Sequence, residues 1–385
     1  MNRTVPLVAF LFLLFPGGAF AATATPFEVS GWIPYWRAAT GTAEVLSHTQ
    51  NFTSIMPFGY IVQDNGSIYD AFGLNGAASS ATSTAALLTE TAKASHIKIV
   101  PTVMWSNGAA IDEILRSSKS RQALETNIAD LANANNFDGI DIDFENKLAQ
   151  TRPYFSLFLK GLYARMGNKY VYCDVEPRTP PSSLYEVIPA TLDYANDYSA
   201  INKYCDRVEI MAYDQNNVDL KLDEAASTTP YVPVADPKWV TKVVNLAAQN
   251  ISKKKIILGV ATYGYEFDIA STSDGYTYDL DWAFDPGYAT QLASEFGITP
   301  IRNIAGELSF IYTPTTTPAT QGSISTTSQT AASSSPINQR IVWWSDASAV
   351  SDKIALAKKL GLRGIGIFKL DGGEDQNIWN ILPVK

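Results

Sequence analysis

The sequence contains few of the side chains that hold metal ions or form covalent cross-links. Its 385 residues include two histidines, His48 and His96, and two cysteines, Cys173 and Cys205. A structural zinc site needs about four cysteine or histidine ligands, so we expect no metal, and no cofactor motif is present either. For the two cysteines we expect buried free thiols, with a disulfide as the alternative that export from the cell would permit.

Clusters of positive charge are also missing. The chain has 29 Lys and Arg against 38 Asp and Glu, a formal net charge of -9, and a pI of about 4.9. Proteins that bind nucleic acids or anionic membranes carry basic surfaces, so neither partner is expected. With 46% hydrophobic and 17% charged residues, the composition is typical of a globular protein with a well-buried core.

A single apolar run approaches the length of a membrane span. Residues 1–21 have a positive charge near the start, at Arg3. An apolar run follows at residues 5–15, and the segment ends in a small-x-small sequence at residues 19–21. This order is typical of a secretory signal peptide. An uncleaved anchor is the alternative, although the run is shorter than the roughly 20 residues that cross a bilayer. We therefore expect a secreted or cell-envelope protein.

Eight β-rich apolar runs alternate with amphipathic helical segments. The predicted strands are residues 28–35, 53–61, 98–104, 137–143, 170–176, 207–213, 255–262 and 364–368. The predicted helices are residues 85–94, 121–133, 153–166, 239–249 and 349–360. This alternation predicts an α/β protein with a (β/α)8 TIM barrel. A doubly wound sheet would need a glycine-rich phosphate turn early in the chain, and the sequence has none.

The seventh and eighth predicted strands are separated by roughly 100 residues, whereas barrel connections usually have two to six. Predicted strands at residues 278–284, 307–312 and 341–344 and a predicted helix at residues 286–296 fill the interval. We therefore predict a small α+β insertion at residues 264–342, inside a barrel that covers residues 27–385. Its residues 313–335 are mostly Ser and Thr with Ala, Gln and Pro, which predicts a long loop; a linker between domains is the alternative.

The stretch from Phe137 to Glu145 alternates apolar and acidic residues. Successive side chains of a strand point to opposite faces, so Asp141, Asp143 and Glu145 share one face. Residues two apart on a strand lie about 6.6 Å apart, and ionised carboxyls at that spacing repel one another in a poorly solvated site. At least one should therefore keep a proton at neutral pH, as general acid catalysis at a glycosidic bond requires.

Two other interpretations of this stretch remain open. A half-exposed strand with an acidic solvent face gives the same alternation. A calcium loop has Asp at alternate positions too, but it needs Gly at its sixth position and Glu at its twelfth. Here Asp138-Gly139 opens the stretch, and bulky apolar residues fill the gaps between the acids.

The pattern Asp138-Gly139-x-Asp141-x-Asp143-x-Glu145 resembles the signature of glycoside hydrolase family 18, the chitinase-like enzymes. Four further stretches match the family in the same order, at residues 31–36, 211–214, 259–264 and 342–379. The resemblance covers nearly all of the chain after residue 26. It implies a secreted, retaining, substrate-assisted hydrolase of β-linked glycans that contain N-acetylglucosamine, either chitin-like or of the peptidoglycan type.

The resemblance also implies a role for each candidate residue. Glu145 would be the general acid, Asp143 would orient the substrate's acetamido group, and Asp141 would share a proton with Asp143. Tyr213 would donate a hydrogen bond to the acetamido oxygen. The candidate substrate-binding residues are Asp214, Met211, Tyr35, Trp36, Phe368 and Glu176, with ordinary core packing as the alternative for Met211.

The sequence departs from the family pattern in two places. Phe368 stands where the family usually has Trp, and residues 101–105 lack the Ser-x-Gly-Gly run of many chitinases. Both departures widen the expected substrate class beyond crystalline chitin. A non-catalytic glycan-binding lectin on the same barrel is the alternative function, but such lectins typically lose the acid that is present here as Glu145. A surface adhesion protein held by an uncleaved signal is a third. We expect a monomer whose partner is a polysaccharide or oligosaccharide containing N-acetylglucosamine.

Overall fold

The computed structural model describes residues 26–76, 83–226, 228–273, 275–314 and 339–385. The predicted signal peptide at residues 1–21 and most of the predicted loop at residues 313–335 lie outside these ranges. In the described ranges, no helix is both long enough and apolar enough to cross a membrane.

Strands and helices alternate along most of the chain. In chain order, strands β1 to β15 are Glu28–Pro34, Ser54–Val62, Ile68–Asp70, Lys98–Ile99, Thr102–Trp105, Gly139–Phe144, Tyr170–Val175, Arg207–Ile210, Ile256–Ala261, Gly264–Thr272, Gly275–Phe284, Ile301–Arg302, Leu308–Tyr312, Gln339–Trp344 and Gly364–Phe368. Helices α1 to α12 are Ala38–Ser47, Thr84–Ala94, Gly108–Arg116, Ser118–Ala134, Arg152–Met166, Pro181–Leu184, Tyr198–Tyr204, Leu220–Ala225, Pro237–Ala247, Pro286–Glu295, Ala347–Leu360 and Ile378–Ile381. Single 3-10 turns occupy Tyr35–Arg37, Thr49–Asn51 and Ala149–Thr151.

Eight parallel strands form a closed barrel, which confirms the predicted TIM barrel. Their order is β1, β2, β5, β6, β7, β8, β9 and β15, and the barrel closes because β1 pairs with both β2 and β15. The third predicted strand is split into β4 and β5. Pro101 lies at the break, where its missing N–H cannot donate to a neighbouring strand.

Strand β6 shows how the alternating sequence divides between two environments. Ile140, Ile142 and Phe144 belong to the apolar layer between the barrel and its helices. There the Phe144 ring stacks on Phe158 of α5 at a centroid distance of 5.2 Å. The alternate side chains, beginning with Asp141, therefore point into the barrel, which places acidic groups along its interior.

The insertion between β9 and β15, the seventh and eighth barrel strands, is an antiparallel sheet with one helix. Its strand order is β11, β10, β14, β13 and β12, and its own apolar core includes Phe284, Ala289, Phe310, Val342 and Trp344. Strand β10 was not predicted from the sequence. It begins at Gly264, directly after β9, so the insertion rises from the carboxyl end of the barrel.

Cys173 and Cys205 form a disulfide, so the prediction of two free thiols is wrong. Cys173 lies in β7, and Cys205 directly precedes the segment that pairs with it, where the Asp206 N–H donates to the Val171 carbonyl at 2.7 Å. The two Cα atoms are 6.0 Å apart, within the usual range for a disulfide. The sequence patterns of the two strands did not reveal this because neither defines the register between them.

Candidate active site

The carboxyl ends of the barrel strands surround a cavity of about 520 Å³. This end of a TIM barrel carries the active site in characterised enzymes of the fold. The side chains that line the cavity are Trp32, Tyr35, Trp36, Phe58, Met104, Asp143, Glu145, Asn146, Asp174, Glu176, Pro177, Met211, Tyr213, Asp214 and Phe368. Nine of the ten candidates from the sequence are among them, and the tenth, Asp141, lies beneath.

Asp141 is fully buried in the barrel interior and is held by two neighbours. Its Oδ2 accepts hydrogen bonds from Trp32 Nε1 at 3.1 Å and from Thr102 Oγ1 at 2.7 Å. Burial raises the pKa of Asp141 to about 6, although these hydrogen bonds oppose the rise.

Asp143 is also buried, and its Oδ1 has no hydrogen-bond partner among the described residues. Burial raises its pKa well above the usual range, and the nearby charges of Glu145 and Asp141 raise it further. The sharing of a proton between Asp141 and Asp143 stays a prediction. Asp143 lines the cavity, where its free oxygen can interact with a bound group.

Sequence reasoning missed Asp174, although the signal for it was present. Tyr172, Asp174 and Glu176 alternate with apolar residues along β7 and just beyond it, as the acids of β6 do. Burial, followed by the charges of Asp141 and Asp143, raises the pKa of Asp174 well above its usual range. Because these carboxyls crowd one another inside the barrel, each favours the protonated form of its neighbours.

Glu145 follows the end of β6 and is partly buried at the cavity wall. Its backbone N–H donates to the Trp105 carbonyl at 2.8 Å, which extends the strand pairing by one residue. Burial raises the pKa of the Glu145 carboxyl, the charges of Glu176 and Asp214 also raise it, and Lys147 opposes them. A protonated carboxyl in a cavity next to Asp143 can act as a general acid.

Phe368, Tyr213 and Trp32 form the aromatic floor of the cavity. The rings of Tyr213 and Phe368 stack at 5.6 Å with an interplanar angle of 14°, and Trp32 meets Phe368 edge-on at 5.9 Å. Met211 is half-buried at the same wall. Burial raises the pKa of Tyr213 well above its usual range, so its hydroxyl keeps its proton and can donate a hydrogen bond.

Asp214 lies at the rim and links the barrel to the insertion. It has a left-handed backbone with φ of 57°, and its Oδ1 accepts hydrogen bonds from Tyr263 at 2.6 Å and Tyr265 at 2.7 Å. Beyond it lies a second cavity, of about 690 Å³, which Trp36 and the insertion's Trp282 help to line. No local pattern indicated Tyr265 or Trp282, because their position beside the cavity depends on how the insertion packs on the barrel.

Tyr35 and Trp36 lie on the first 3-10 turn and are exposed, Trp36 by 52%. Their rings meet edge-on at 4.9 Å. Exposed aromatic faces beside a cavity suit the apolar faces of sugar rings. The described residues contain no group of His, Cys, Asp and Glu that could hold a metal ion.

Glu176 reaches the cavity, but its oxygens are engaged by protein groups. Oε2 accepts a hydrogen bond from Asn196 Nδ2 at 2.7 Å, and Oε1 accepts one from the Asn146 N–H at 3.2 Å. Lys147 Nζ lies 3.6 Å from Oε1. These contacts orient Glu176 from the protein side, and its contact with substrate stays a prediction.

Comparison with known proteins supports the same assignment. The chain is 22% identical to the uncharacterized glycosylase YvbX of Bacillus subtilis (strain 168), over 72% of this chain and 69% of that protein. The spore cortex-lytic enzyme SleL of Bacillus megaterium QM B1551 has a similar fold, with a TM-score of 0.67 at 20% identity, over 92% of this chain and 73% of that one. The C-terminal domain of a Desulfitobacterium hafniense DCB-2 chitinase aligns with a TM-score of 0.68 at 21% identity, over 92% and 97%. The family model for glycosyl hydrolases family 18 matches residues 32–373; the chain belongs to this family and is a glycosidase.

Proposed function

We propose that the protein is an exported, retaining glycosidase that cleaves β-linked glycans containing N-acetylglucosamine by substrate-assisted catalysis. The observation that supports this most strongly is the pairing of Glu145 with Asp143 in one cavity. The pKa values of both carboxyls are raised, chiefly by burial. Tyr213 and Phe368 provide an aromatic surface beside them, as a sugar-binding site requires.

In the proposed first step, the protonated Glu145 gives its proton to the glycosidic oxygen as the bond to the anomeric carbon breaks. The oxygen of the substrate's own 2-acetamido group attacks that carbon, which forms an oxazolinium ion. Asp143 orients the acetamido N–H and stabilises the positive charge, and the Tyr213 hydroxyl donates to the acetamido oxygen. Water then opens the ion and loses its proton to the Glu145 carboxylate.

The substrate class is proposed as chitin-like or peptidoglycan-type glycans. The spore cortex-lytic and chitinase structures share the fold. Phe368 retains an apolar platform where the family usually has Trp, but it offers less area and no N–H donor. The aromatic side chains of the second cavity extend the sugar-binding surface beyond the catalytic cavity.

Product analysis by mass spectrometry tests this function. The protein is incubated with chitin oligosaccharides and, separately, with purified peptidoglycan, beside Glu145→Gln and the exposed-surface control Glu90→Gln. We expect shortened glycans from the wild type and the control, with at least about a hundredfold slower release by Glu145→Gln. Glycan binding without any products would support the lectin alternative and contradict the proposal.

Substrate assistance has its own test. A glycan with a free amine in place of the acetamido group cannot form the oxazolinium ion, so we expect it to bind without being cut at that sugar. The matched N-acetylated glycan is the control. Cleavage of both at comparable rates would contradict a role for the acetamido oxygen in the attack on the anomeric carbon.

We also propose that residues 1–21 direct export and are removed. The composition of this segment supports export, and the disulfide between Cys173 and Cys205 suits an oxidising compartment. N-terminal sequencing of the protein from culture medium or the cell envelope should then begin at about residue 22. Recovery of the full-length chain from the membrane fraction would contradict removal of the segment.

A further inference from the structure

Lys147 is a buried cation beside the catalytic cavity that the proposed reaction does not use. Its side chain is 0% exposed and does not line the cavity. It reaches this position because Asn146 adopts a left-handed backbone, with φ of 54°, and turns the chain back after Glu145. Lysine is almost never fully buried without a partner, because removing its charge from water is costly.

Burial lowers the pKa of Lys147, and the negative charges of the nearby acids oppose that shift. Its Nζ lies 3.6 Å from Glu176 Oε1 and 4.8 Å from the centroid of the Phe155 ring on α5. No described residue forms a hydrogen bond with Nζ, so its stabilisation is mainly electrostatic. The titratable groups that interact with it are Glu176, Asp143 and Glu145.

The ion pair lies next to Glu145. Glu145 and Glu176 line the same cavity, and Asn146, the residue between Glu145 and Lys147, donates its backbone N–H to Glu176 Oε1 at 3.2 Å. The charged groups that interact with its carboxyl are Glu176, Lys147, Asp214 and Asp143. Lys147 favours the ionised form of Glu145, and Glu176 favours the protonated form. Glu176 is held by hydrogen bonds from Asn196 Nδ2 and the Asn146 N–H, which keep its charge near Glu145.

We propose that the Lys147–Glu176 ion pair sets the proton affinity of the general acid Glu145, with both residues acting as positioning residues in this respect. The proposal rests on the proposed function, because it assigns Glu145 as the acid. The Lys147 side chain is 0% exposed, and the Glu176 side chain is 38% exposed. Solvent therefore screens the effect of the Lys147 charge on Glu145 only slightly.

Two single variants should move the proton affinity of Glu145 in opposite directions. Lys147→Met keeps an apolar side chain of similar length against Phe155 and removes the positive charge, so the pKa of Glu145 should rise. Glu176→Gln keeps the shape and removes the negative charge, so the pKa of Glu145 should fall. Because the general acid must be protonated, the alkaline limb of the pH profile for kcat/KM should move up in the first variant and down in the second, each by about half a pH unit.

Carbon-13 NMR of protein labelled at its glutamates measures the pKa of Glu145 without turnover. The Glu145 signal is assigned by its loss in Glu145→Gln. Lys147→Arg should retain the wild-type titration, and Lys160→Met, a change of an exposed lysine on α5, is the control for loss of a positive charge. The double variant of Lys147→Met and Glu176→Gln should return the titration toward wild type, because the two charges oppose each other.

Opposite shifts in the two single variants would support the proposal. Shifts in the same direction, or no shift of the Glu145 titration in folded protein, would overturn it. Absence of hydrolysis by the wild type would contradict the proposed function instead, and the NMR titration would still decide whether the ion pair controls Glu145. A purely structural ion pair would change stability in both variants without moving the Glu145 titration in opposite directions.

Discussion

Two groups of buried carboxyls, one in the barrel and one in the insertion, differ in whether all of their oxygens accept hydrogen bonds. In the barrel, Asp143 and Glu209 are buried with an oxygen that has no hydrogen-bond partner among the described residues. In the insertion, Glu266 and Glu307 are both 0% exposed yet accept hydrogen bonds on both oxygens. Burial is similar in the two groups, so burial alone does not determine what an acid does.

The difference is clearest in the donors around Glu266. Its carboxylate accepts from Trp282 Nε1 at 2.8 Å, from Tyr288 at 2.7 Å, from Tyr312, and from Arg340 at 3.1 Å. Burial would raise its pKa, but these hydrogen bonds outweigh burial and lower it. These contacts favour the ionised form of Glu266 and link the strands of the insertion sheet, whereas the environment of the barrel acids favours their protonated forms.

The largest expected effect is on activity at the barrel site. Asp143→Asn should reduce hydrolysis at least about a hundredfold while the protein stays folded, because the amide cannot balance the positive charge of the intermediate. The measurement is kcat/KM on the preferred glycan with circular dichroism as the folding control. Near-normal turnover would remove Asp143 from the catalytic group.

The second effect is on the stability of the insertion. Glu266→Ala should destabilise the protein by about 3 kcal/mol, because it leaves Arg340 and two tyrosine hydroxyls without their buried partner. Denaturant unfolding measures the loss, and Asp279→Ala, an exposed acid on the same sheet, is the matched control. Equal stability of the two variants would show that the Glu266 hydrogen bonds are not important for folding.

The smallest effect is a difference in how stability depends on pH. Burial raises the pKa of Glu209 well above its usual range, and Asp141 raises it further. A group with a raised folded-state pKa stabilises the fold below its unfolded pKa and loses that contribution as pH rises through the folded pKa. Glu266 has a lowered pKa in the folded state. It stabilises the fold above its unfolded pKa and loses that contribution as pH falls through its folded-state pKa.

Thermal unfolding as a function of pH tests this contrast. Glu209→Gln should flatten the decline of stability on the alkaline side, and Glu266→Gln should flatten the decline on the acidic side. If both variants changed the pH dependence of thermal stability in the same way, the division of the carboxyls into two groups would be contradicted.

The sequence was sufficient to predict the barrel because its signals are local. The alternation around Asp141 and the helical spacing of the intervening segments depend on neighbours in the chain. The common face of Asp141, Asp143 and Glu145 was predicted for the same reason, and Asp174 could have been found from the alternation of β7. The catalytic roles of these residues stay predictions. The unpredicted features, the disulfide of Cys173 and the burial of Lys147, depend on strand register and on a single left-handed residue.

The insertion was harder to predict where its function depends on contacts with the barrel. The hydrogen bonds of Tyr263 and Tyr265 to Asp214 join segments about fifty positions apart in the chain, and no local pattern indicates them. Strand β10 was missed because its residues, which include Glu266, Asp268, Ser271 and Thr272, do not form an apolar run.

Retention of configuration at the anomeric carbon tests substrate assistance most directly. In the proposed reaction the acetamido oxygen and then water each invert that carbon, so the first-formed product of a β-linked substrate should be the β-anomer. Proton NMR spectra recorded within the first turnovers, before mutarotation, distinguish the two anomers. A first-formed β-anomer is the predicted result, and a first-formed α-anomer would mean direct attack by water and contradict the mechanism.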